Sequence, residues 1–198
     1  MLSLDMDDSK QLYIIAGPNG AGKSSHARIT LLPDFLKVNE FVNADEIAKI
    51  LSPHDPSKSA IRAARLMINR VDFLLSSRRS FALETTLSSK NYLRIIECAK
   101  SNGYEVNLLF LFLPNYEFAI DRVRNRVEKG GHNIEKDVVK RRFKRGLENI
   151  GDYVRKVDMA TFYDSSGSSL IEIANKFKGR FNIVSDDAKY EVITSQLS

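Results

Sequence analysis

Residues 17–24 read Gly17-Pro18-Asn19-Gly20-Ala21-Gly22-Lys23-Ser24, which matches the pattern G-x-x-x-x-G-K-S/T at every defined position. An apolar run from Leu12 to Ala16 precedes this stretch, and a helical pattern follows it through Ala27 and Leu31. Glycines permit backbone conformations and close approaches that a Cβ atom would forbid, so successive N–H groups can surround phosphate oxygens. The stretch therefore predicts a buried strand, a phosphate-binding loop and a helix, in that order.

Two side chains of this loop are suited to a nucleoside triphosphate. Lys23 can reach the β- and γ-phosphates, and the Ser24 hydroxyl can ligate Mg²⁺. The helix that follows presents its N-terminal N–H groups and the positive end of its dipole to the same anion. We therefore expect residues Gly17 to Ser25 to bind ATP, with Ser24 as the metal ligand from the protein.

Short apolar runs alternate with helical patterns along the rest of the chain. Residues 41–44, 81–83 and 106–113 are typical of buried strands, and weaker candidates lie at 161–163 and 181–184. Strands separated by helices imply a parallel sheet that is covered on both faces. The 198 residues contain no internal repeat and no long Pro/Gly linker. The expected fold is thus a single α/β domain with a parallel sheet between two layers of helices.

One helical pattern lies between the second and third predicted strands. Its apolar residues recur at spacings of three and four: Ile61, Ala64, Ile68, Val71 and Leu75. This spacing predicts that one face of the helix, formed by these residues, packs against the sheet.

Asp45 closes the second predicted strand. Ligands of parallel sheets bind beyond the carboxyl ends of the strands, so Asp45 should face the bound ligand. A carboxylate beside an acceptor hydroxyl can orient that hydroxyl and take its proton, and Asp45 is our candidate for this base. The alternative is a structural role as the N-cap of a helix that begins near Glu46.

Glu84 closes the third predicted strand and is followed by Thr85 and Thr86. Its carboxylate could approach Mg²⁺ through water or hold acceptor hydroxyls, and the two threonines would add hydroxyl groups to the same crevice. The alternative is a solvated acid in a loop. Motor ATPases more often carry a longer apolar strand that ends in two acidic residues, so this arrangement favours a kinase over a motor.

Positive charge is concentrated in one segment of the chain. Thirty Lys and Arg residues against 25 Asp and Glu residues give a net charge of +5, and residues 121–156 alone carry twelve basic and six acidic side chains. Within this segment Arg122 and Arg126 lie four residues apart and should share one helix face, while Arg124 points elsewhere. An acidic ligand is therefore expected at this segment.

The same segment contains a break between two helical patterns. Gly130-Gly131-His132 ends the first pattern, and the second begins near Ile134 and carries Arg141 and Arg142 among its basic residues. We interpret residues 121–156 as a lid with a Gly-Gly hinge, whose arginines approach the phosphates and exclude water when the lid closes. The position of His132 in the hinge indicates a contact with phosphate or substrate.

Two other interpretations of the basic segment exist. It could be a solvated helix face, or a surface that binds nucleic acid through its phosphate backbone. The segment lacks the interleaved aromatic residues that stack on bases, which argues against nucleic acid.

The remaining composition indicates a cytoplasmic protein without membrane association. The single cysteine, Cys98, excludes an intramolecular disulfide and suits a reducing compartment. The longest apolar run, residues 108–113, is far shorter than the roughly 20 residues of a membrane-spanning helix. The acidic residues among the first ten argue against a secretory signal.

Taken in order, these motifs resemble the zeta-toxin family of P-loop kinases, specifically its shorter, chromosome-type members. The resemblance extends from about Leu12 to about Ile150. It rests on the phosphate loop and on three further stretches: Asn43-Ala44-Asp45, Glu84-Thr85-Thr86, and Arg126-Val127-Glu128-Lys129-Gly130-Gly131-His132-Asn133-Ile134 with Arg141-Arg142 behind it.

The resemblance implies a three-layer P-loop NTPase/kinase fold with a parallel doubly wound sheet and a helical lid. It also implies an ATP- and Mg²⁺-dependent kinase whose acceptor is a hydroxyl of a small molecule. The best named acceptor is UDP-N-acetylglucosamine, phosphorylated at its sugar 3′-hydroxyl, and the protein partner would be an antitoxin. Asp45, Lys23 and Arg126 would be the catalytic residues. The acceptor contacts would be Asn43, Glu84, Thr85, Thr86, His132, Arg141 and Arg142.

Two alternatives to this function stay open at the level of sequence. One is a P-loop kinase that acts on nucleosides or RNA ends, and the other is an ATP-binding regulatory module without turnover. The phosphate loop is common to all three, so the distinction depends on what surrounds it.

Overall fold

The computed structural model describes residues 10–27, 38–185 and 190–195 of the chain. Its seven strands are β1 (Lys10–Ala16), β2 (Phe41–Val42), β3 (Phe81–Thr85), β4 (Tyr104–Phe112), β5 (Met159–Asp164), β6 (Ile171–Phe177) and β7 (Arg180–Ile183). Its helices are α1 (Lys23–His26), α2 (Ala44–Leu51), α3 (Ala60–Ser76), α4 (Tyr92–Ser101), α5 (Tyr116–Glu128), α6 (Lys136–Lys156) and α7 (Glu191–Thr194), with a 3-10 turn at Pro56–Ser59.

The strands form one sheet in the order β2-β3-β1-β4-β5-β6-β7. The first five strands in this order are parallel to their neighbours, whereas β6 and β7 are antiparallel additions at one edge. The predicted α/β fold with a parallel sheet is therefore confirmed. β6 was not predicted, because polar residues such as Glu172, Asn175 and Lys176 interrupt its apolar pattern.

Buried side chains lie on both faces of the sheet. On one face, alternate residues of β1 and β4 pack with α3, α4, α6 and α7. On the other face, Ile15 and Leu109 pack with Ala27 and Val38, and Leu111 packs with α5. Helix, sheet and helix thus form the three layers expected of a doubly wound fold. Within the described residues, no helix combines the length and apolar character needed to cross a membrane.

The sequence pattern predicted the buried face of α3 only in part. Ile61 is 75% exposed and Ile68 is 50% exposed, whereas Ala63 and Met67 are almost fully buried. Val71 and Leu75 are buried as predicted. The prediction failed because apolar residues occur at helical spacing on two overlapping faces of this helix, so periodicity alone does not select between them.

Helix α6 packs closely against the loop after β3 at a glycine. An ideal Cβ atom placed on Gly146 would lie 2.6 Å from the backbone oxygen of Thr86, closer than any ordinary contact. One turn and two turns later, Asn149 Nδ2 donates to the oxygen of Leu87 at 2.8 Å and the Tyr153 hydroxyl donates to the oxygen of Ser89. The loop after β3 is therefore held by one face of α6.

Gly146→Ala tests this close approach. In most helices this change stabilises the fold by about 1 kcal/mol, because alanine has the higher helix propensity. Here we expect the free energy of unfolding to fall by about 1–3 kcal/mol, since the added methyl group forces α6 away from Thr86. Urea unfolding measures the change. Arg145→Ala, at the exposed neighbouring position, should shift stability by less than about 0.5 kcal/mol, and a more stable Gly146→Ala protein would contradict the argument.

Candidate active site

The phosphate loop connects β1 to α1 as the sequence predicted. Gly17 and Gly20 have φ angles of 142° and 82°, a region that side-chain-bearing residues rarely adopt. A Cβ atom on Gly17 would also lie 2.4 Å from the backbone oxygen of Leu111 in β4. Ala21 closes the turn, because its N–H donates to the oxygen of Pro18 at 3.2 Å. Gly17, Pro18 and Ala21 thus shape the loop through their backbone.

Lys23 is buried at the end of this loop. Its side chain is 5% exposed, and Nζ donates to the oxygen of Pro18 at 2.9 Å and lies 3.6 Å from Glu84 Oε1. Burial lowers the pKa of the Lys23 ammonium, while the carboxylates of Glu84 and Asp45 act in the opposite direction. The ammonium is therefore held where an additional anion, such as a phosphate, would stabilise its charge.

Glu84 lies beside the Ser24 hydroxyl. Ser24 Oγ donates to Glu84 Oε2 at 2.6 Å, and Asn43 Nδ2 donates to the same oxygen at 2.8 Å. Parallel pairing explains the proximity, since Glu84 of β3 is in register with Ile15, close to the phosphate loop at the end of β1. Glu84 belongs to the strand and its side chain is 10% exposed, so its interpretation as a solvated loop acid was wrong.

Asn43, and not Asp45, is the N-cap of α2. Asn43 Oδ1 accepts from the N–H groups of Asp45 at 2.8 Å and Glu46 at 3.4 Å. β2 ends at Val42 and the cap follows directly, so the predicted strand through Ala44 was too long by two residues. One amide side chain therefore caps the helix with its oxygen and holds Glu84 with its nitrogen, which leaves the Asp45 side chain available to the site.

The larger cavity at the site has a volume of about 700 Å³. It lies between the phosphate loop, the start of α2, the end of α5 and the predicted hinge. The predicted residues that line it are Asn19, Gly20, Gly22, Lys23, Ser24, Ser25, Asn43, Asp45, Glu84, Arg122, Arg126 and His132. Sequence reasoning missed Glu46, Lys49 and Asn125 as lining residues, because nothing in their spacing relates them to the phosphate loop.

Two arginines of α5 face the larger cavity, as their spacing predicted. Arg122 Nη2 donates to the backbone oxygen of Ser166 at 2.7 Å, and Arg126 Nη2 donates to that of His132 at 2.7 Å. Arg124 points away and pairs with Asp121 at 3.0 Å. The hinge is thus tied to the helix before it through Arg126.

A smaller cavity of about 180 Å³ adjoins the larger one. Both are lined by Asn19, Lys23, Asn43, Asp45 and Glu84, so these residues stand where the two cavities meet. The other lining residues of the smaller cavity are Ala44, Thr85, Thr86, Ser88, Ser89, Tyr92 and Arg142. Ser88, Ser89 and Tyr92 follow Glu84-Thr85-Thr86 closely in sequence, and that proximity is the signal that could have found them.

Not all predicted residues present a free side chain to the cavities. Arg141 is exposed on α6 and lines neither cavity, because it is rotated by about 100° from Arg142 around the helix. Thr85 is buried, and its hydroxyl accepts from the N–H of Leu87 at 3.1 Å. Thr86 and Ser88 share a hydrogen bond of 2.9 Å at the wall of the smaller cavity.

Comparison with known proteins identifies the family. A model of the zeta toxin family matches residues 4–176 of the chain. An uncharacterized protein of Haemophilus influenzae is 32% identical over 127 residues, which cover 64% of this chain and 88% of that protein.

The fold resembles that of chains in two solved structures. A chain in the crystal structure of AvrRxo1-ORF1:-ORF2 with ATP superimposes with a TM-score of 0.73 at 19% identity, over 96% of this chain and 65% of that one. A chain of the PezAT chromosomal toxin-antitoxin system of Streptococcus pneumoniae gives a TM-score of 0.62 at 17% identity, over 96% and 80%. With the family match over most of its length, the chain belongs to the zeta toxin family of P-loop kinases.

Proposed function

We propose that the protein transfers the γ-phosphoryl group of Mg-ATP to a hydroxyl of a small molecule. The observation that carries this proposal is the position of Asp45, with Lys23, where the two cavities meet. Within the described part of the chain, the Asp45 carboxylate forms no hydrogen bond or ion pair, whereas that of Glu84 is engaged by Ser24, Asn43 and Lys23. Asp45 is therefore the carboxylate available to act as a base.

The larger cavity would receive ATP. Its wall contains the phosphate loop, the buried Lys23 and the guanidinium groups of Arg122 and Arg126. Arg126 would stabilise charge on the transferring phosphoryl group. The crystal structure of AvrRxo1-ORF1:-ORF2, which has a similar fold, contains ATP.

We propose that only part of residues 121–156 moves as the lid. Val139, Phe143 and Ile150 of α6 are buried against the rest of the protein, so α6 is unsuited to large movements. Closure over the phosphates is assigned to residues 126–135, which contain the hinge and the end of α5. In this arrangement His132 and Arg126 would move together, since they share a hydrogen bond.

The smaller cavity would receive the acceptor. In the transfer step, the acceptor oxygen forms a bond to the γ-phosphorus, and the bond from that phosphorus to the β,γ-bridging oxygen breaks. The acceptor proton moves to the Asp45 carboxylate, and ADP is the leaving group. UDP-N-acetylglucosamine, through its sugar 3′-hydroxyl, is the acceptor that we propose first, on the basis of family membership.

Ser24 and Glu84 fit a Mg²⁺ site. Magnesium prefers oxygen ligands and often takes only one or two from the protein, with phosphate oxygens and water completing the set. The Ser24 hydroxyl and the Glu84 carboxylate lie within 2.6 Å of each other beside the phosphate loop. When bound, the ion would neutralise phosphate charge. This proximity favours a metal role for Glu84 over contact with the acceptor.

We also propose an antitoxin as protein partner. The support is family membership and the similar fold of a chain in the PezAT toxin-antitoxin system. Inspection of the neighbouring gene for a small helical protein is the first check.

Lys23 predicts a pH dependence of ATP binding. Because its pKa is lowered, the Lys23 ammonium of the free protein loses its proton at a pH below 10.5. Bound phosphates favour the protonated form, since they are negatively charged. As pH rises through the lowered pKa, binding must take up a proton, so we expect affinity for ATP to begin to fall at a pH below 10.5. Calorimetry in two buffers of different ionisation enthalpy measures this uptake. Lys49→Gln, at an exposed position of the same cavity, should keep the slope, and a flat wild-type profile would count against the assignment.

Asp45→Asn separates binding from transfer. We expect this variant to bind ATP with wild-type affinity and to lose transfer by at least about 100-fold, because the acceptor proton has no base. Lys23→Ala should weaken both. Product formation from Mg-ATP and UDP-N-acetylglucosamine, or a panel of sugars, nucleosides and RNA ends, is followed by mass spectrometry. Asp72→Asn, in an exposed position on α3, is the matched control. If Asp45→Asn transfers phosphate at the wild-type rate, Asp45 is not the base. If the wild-type protein forms no product, the ATP-binding regulatory module without turnover is favoured.

Glu84→Gln tests the metal role. We expect the Mg²⁺ concentration for half-maximal transfer to rise at least about tenfold, with little change in the KM of the acceptor, since the amide is a weaker ligand for a hard cation. Ser24→Ala should change the same parameter. Initial rates over a magnesium titration provide the measurement. A raised acceptor KM at unchanged magnesium dependence would assign Glu84 to the acceptor instead.

A further inference from the structure

We infer that Gly131 is a positioning residue, which acts on phosphoryl transfer by leaving the space in which Arg126 is held. The inference rests on the proposed function, because that function uses Arg126 to stabilise charge on the transferring phosphoryl group. It gives the two glycines of the predicted hinge different tasks. Gly130 turns the backbone, and Gly131 makes room for a side chain.

The two glycines form the C-terminal cap of α5. The N–H of Gly130 donates to the oxygen of Val127 at 2.9 Å, and the N–H of Gly131 donates to that of Arg126 at 2.9 Å. This pair of bonds is the Schellman motif, in which a residue just beyond the helix adopts a left-handed conformation. Gly130 has this conformation, with a φ angle of 82°. The stretch is therefore hydrogen-bonded to the last turn of the helix.

Glycine is favoured at the two positions for different reasons. Among the described residues, an ideal Cβ atom on Gly130 would meet no heavy atom within 4 Å beyond its chain neighbours, so the φ angle alone favours glycine there. Gly131 does not have a positive φ angle. A Cβ atom on Gly131 would lie 2.5 Å from Arg126 Cγ, 2.8 Å from the Arg126 backbone oxygen and 3.2 Å from Arg126 Cδ. The first two distances are shorter than real Cβ contacts, so Arg126 occupies the space of the missing side chain.

The Arg126 side chain lies along this space and faces the larger cavity. Its Nη2 donates to the backbone oxygen of His132 at 2.7 Å, and the residue lines the cavity. Arg126 is exposed, and an exposed arginine without such contacts samples many rotamers. The space at Gly131 and the oxygen of His132 together restrict the side chain. The guanidinium is thus placed at the cavity before a phosphate binds, which lowers the entropy cost of binding it.

A methyl group at position 131 would press on both the side chain and the backbone of Arg126. The Cγ atom can move by rotation of the side chain. The backbone oxygen has less freedom, because it accepts hydrogen bonds from the N–H groups of Lys129 and Gly131. We therefore expect the guanidinium to be displaced in Gly131→Ala. Because the three nearest atoms all belong to Arg126, the effect of this change on transfer should depend on that arginine.

A double-mutant cycle tests this dependence. We expect Gly131→Ala to lower kcat at least about tenfold, since a small displacement of a catalytic group is costly. Arg126→Gln should lower kcat at least about 100-fold, because a cation at the transferring phosphoryl group is lost. In the Arg126→Gln protein, Gly131→Ala should change kcat by less than about twofold. Initial rates with Mg-ATP and the acceptor found in the product assay provide the measurement.

Gly103→Ala is the matched control. Gly103 follows α4 with a φ angle of 77° and lines neither of the two cavities. This change also adds a methyl group just after a helix, but at a distance from Arg126. We expect it to lower the midpoint of urea unfolding while kcat stays at the wild-type value. The same unfolding experiment checks that every variant is folded.

The placement of Arg126 is also measured independently of activity. In isotopically labelled protein, the heteronuclear NOE of each arginine side-chain N–H group reports its motion on the picosecond to nanosecond timescale. The Arg126 signal is identified by its loss in Arg126→Gln. We expect Arg126 to be more restricted than Arg141, which is exposed and lines neither cavity. In Gly131→Ala the NOE of Arg126 should fall toward that of Arg141, and in Gly103→Ala it should not change.

Three results would overturn the inference. They are a wild-type kcat in Gly131→Ala, an equal fold loss from this change in the Arg126→Gln protein, and a wild-type Arg126 side chain as mobile as Arg141. The third comparison uses only the wild-type protein, so it holds even if Gly131→Ala does not fold. Failure of the proposed kinase function looks different. In that case no compound is phosphorylated by the wild-type protein, while Gly131→Ala still makes the Arg126 side chain mobile.

Discussion

The site depends on a buried charge where the phosphate loop meets α1. Lys23 is 5% exposed, and its ammonium lies between the Pro18 carbonyl oxygen and the Glu84 carboxylate. A buried ammonium is tolerable only with such partners, and those partners come from the phosphate loop and from the adjacent parallel strand. The pairing of β1 with β3 therefore brings together Lys23, the cation proposed to bind the phosphates, and the Ser24 and Glu84 oxygens proposed to bind the metal.

Hydrogen bonds from polar side chains connect the Lys23–Glu84 pair to the neighbouring helices. Asn43 caps α2 and donates to Glu84, so the helix that presents Asp45 is held beside the Glu84 carboxylate. Beside the smaller cavity, Asn149 and Tyr153 of α6 hold the loop that follows Glu84. The helix that carries Asp45 and the loop that lines the smaller cavity are thus both held close to Glu84 by a few hydrogen bonds.

Local signals predicted much of the fold but not all of it. The phosphate loop, the parallel strands and the helix break at Gly130-Gly131 could be predicted because each depends on neighbouring residues in the chain. The buried face of α3 could not, since two overlapping faces carry apolar residues and the sheet selects between them. β6 was missed because an edge strand with polar residues lacks the alternation on which strand prediction depends.

By itself, the sequence determined the chemistry available: a phosphate loop with Lys23 and Ser24, carboxylates at two strand ends, and arginines at helical spacing. Only the tertiary structure decided which of these side chains pair with one another and which face a cavity. It hydrogen-bonded Glu84 to Ser24 and left the Asp45 carboxylate without a hydrogen bond or ion pair among the described residues. It also placed Arg142 at the smaller cavity, while Arg141 stayed exposed. The reason is physical, because strand register and helix rotation set which side chains share a cavity, and neither is a property of a single motif.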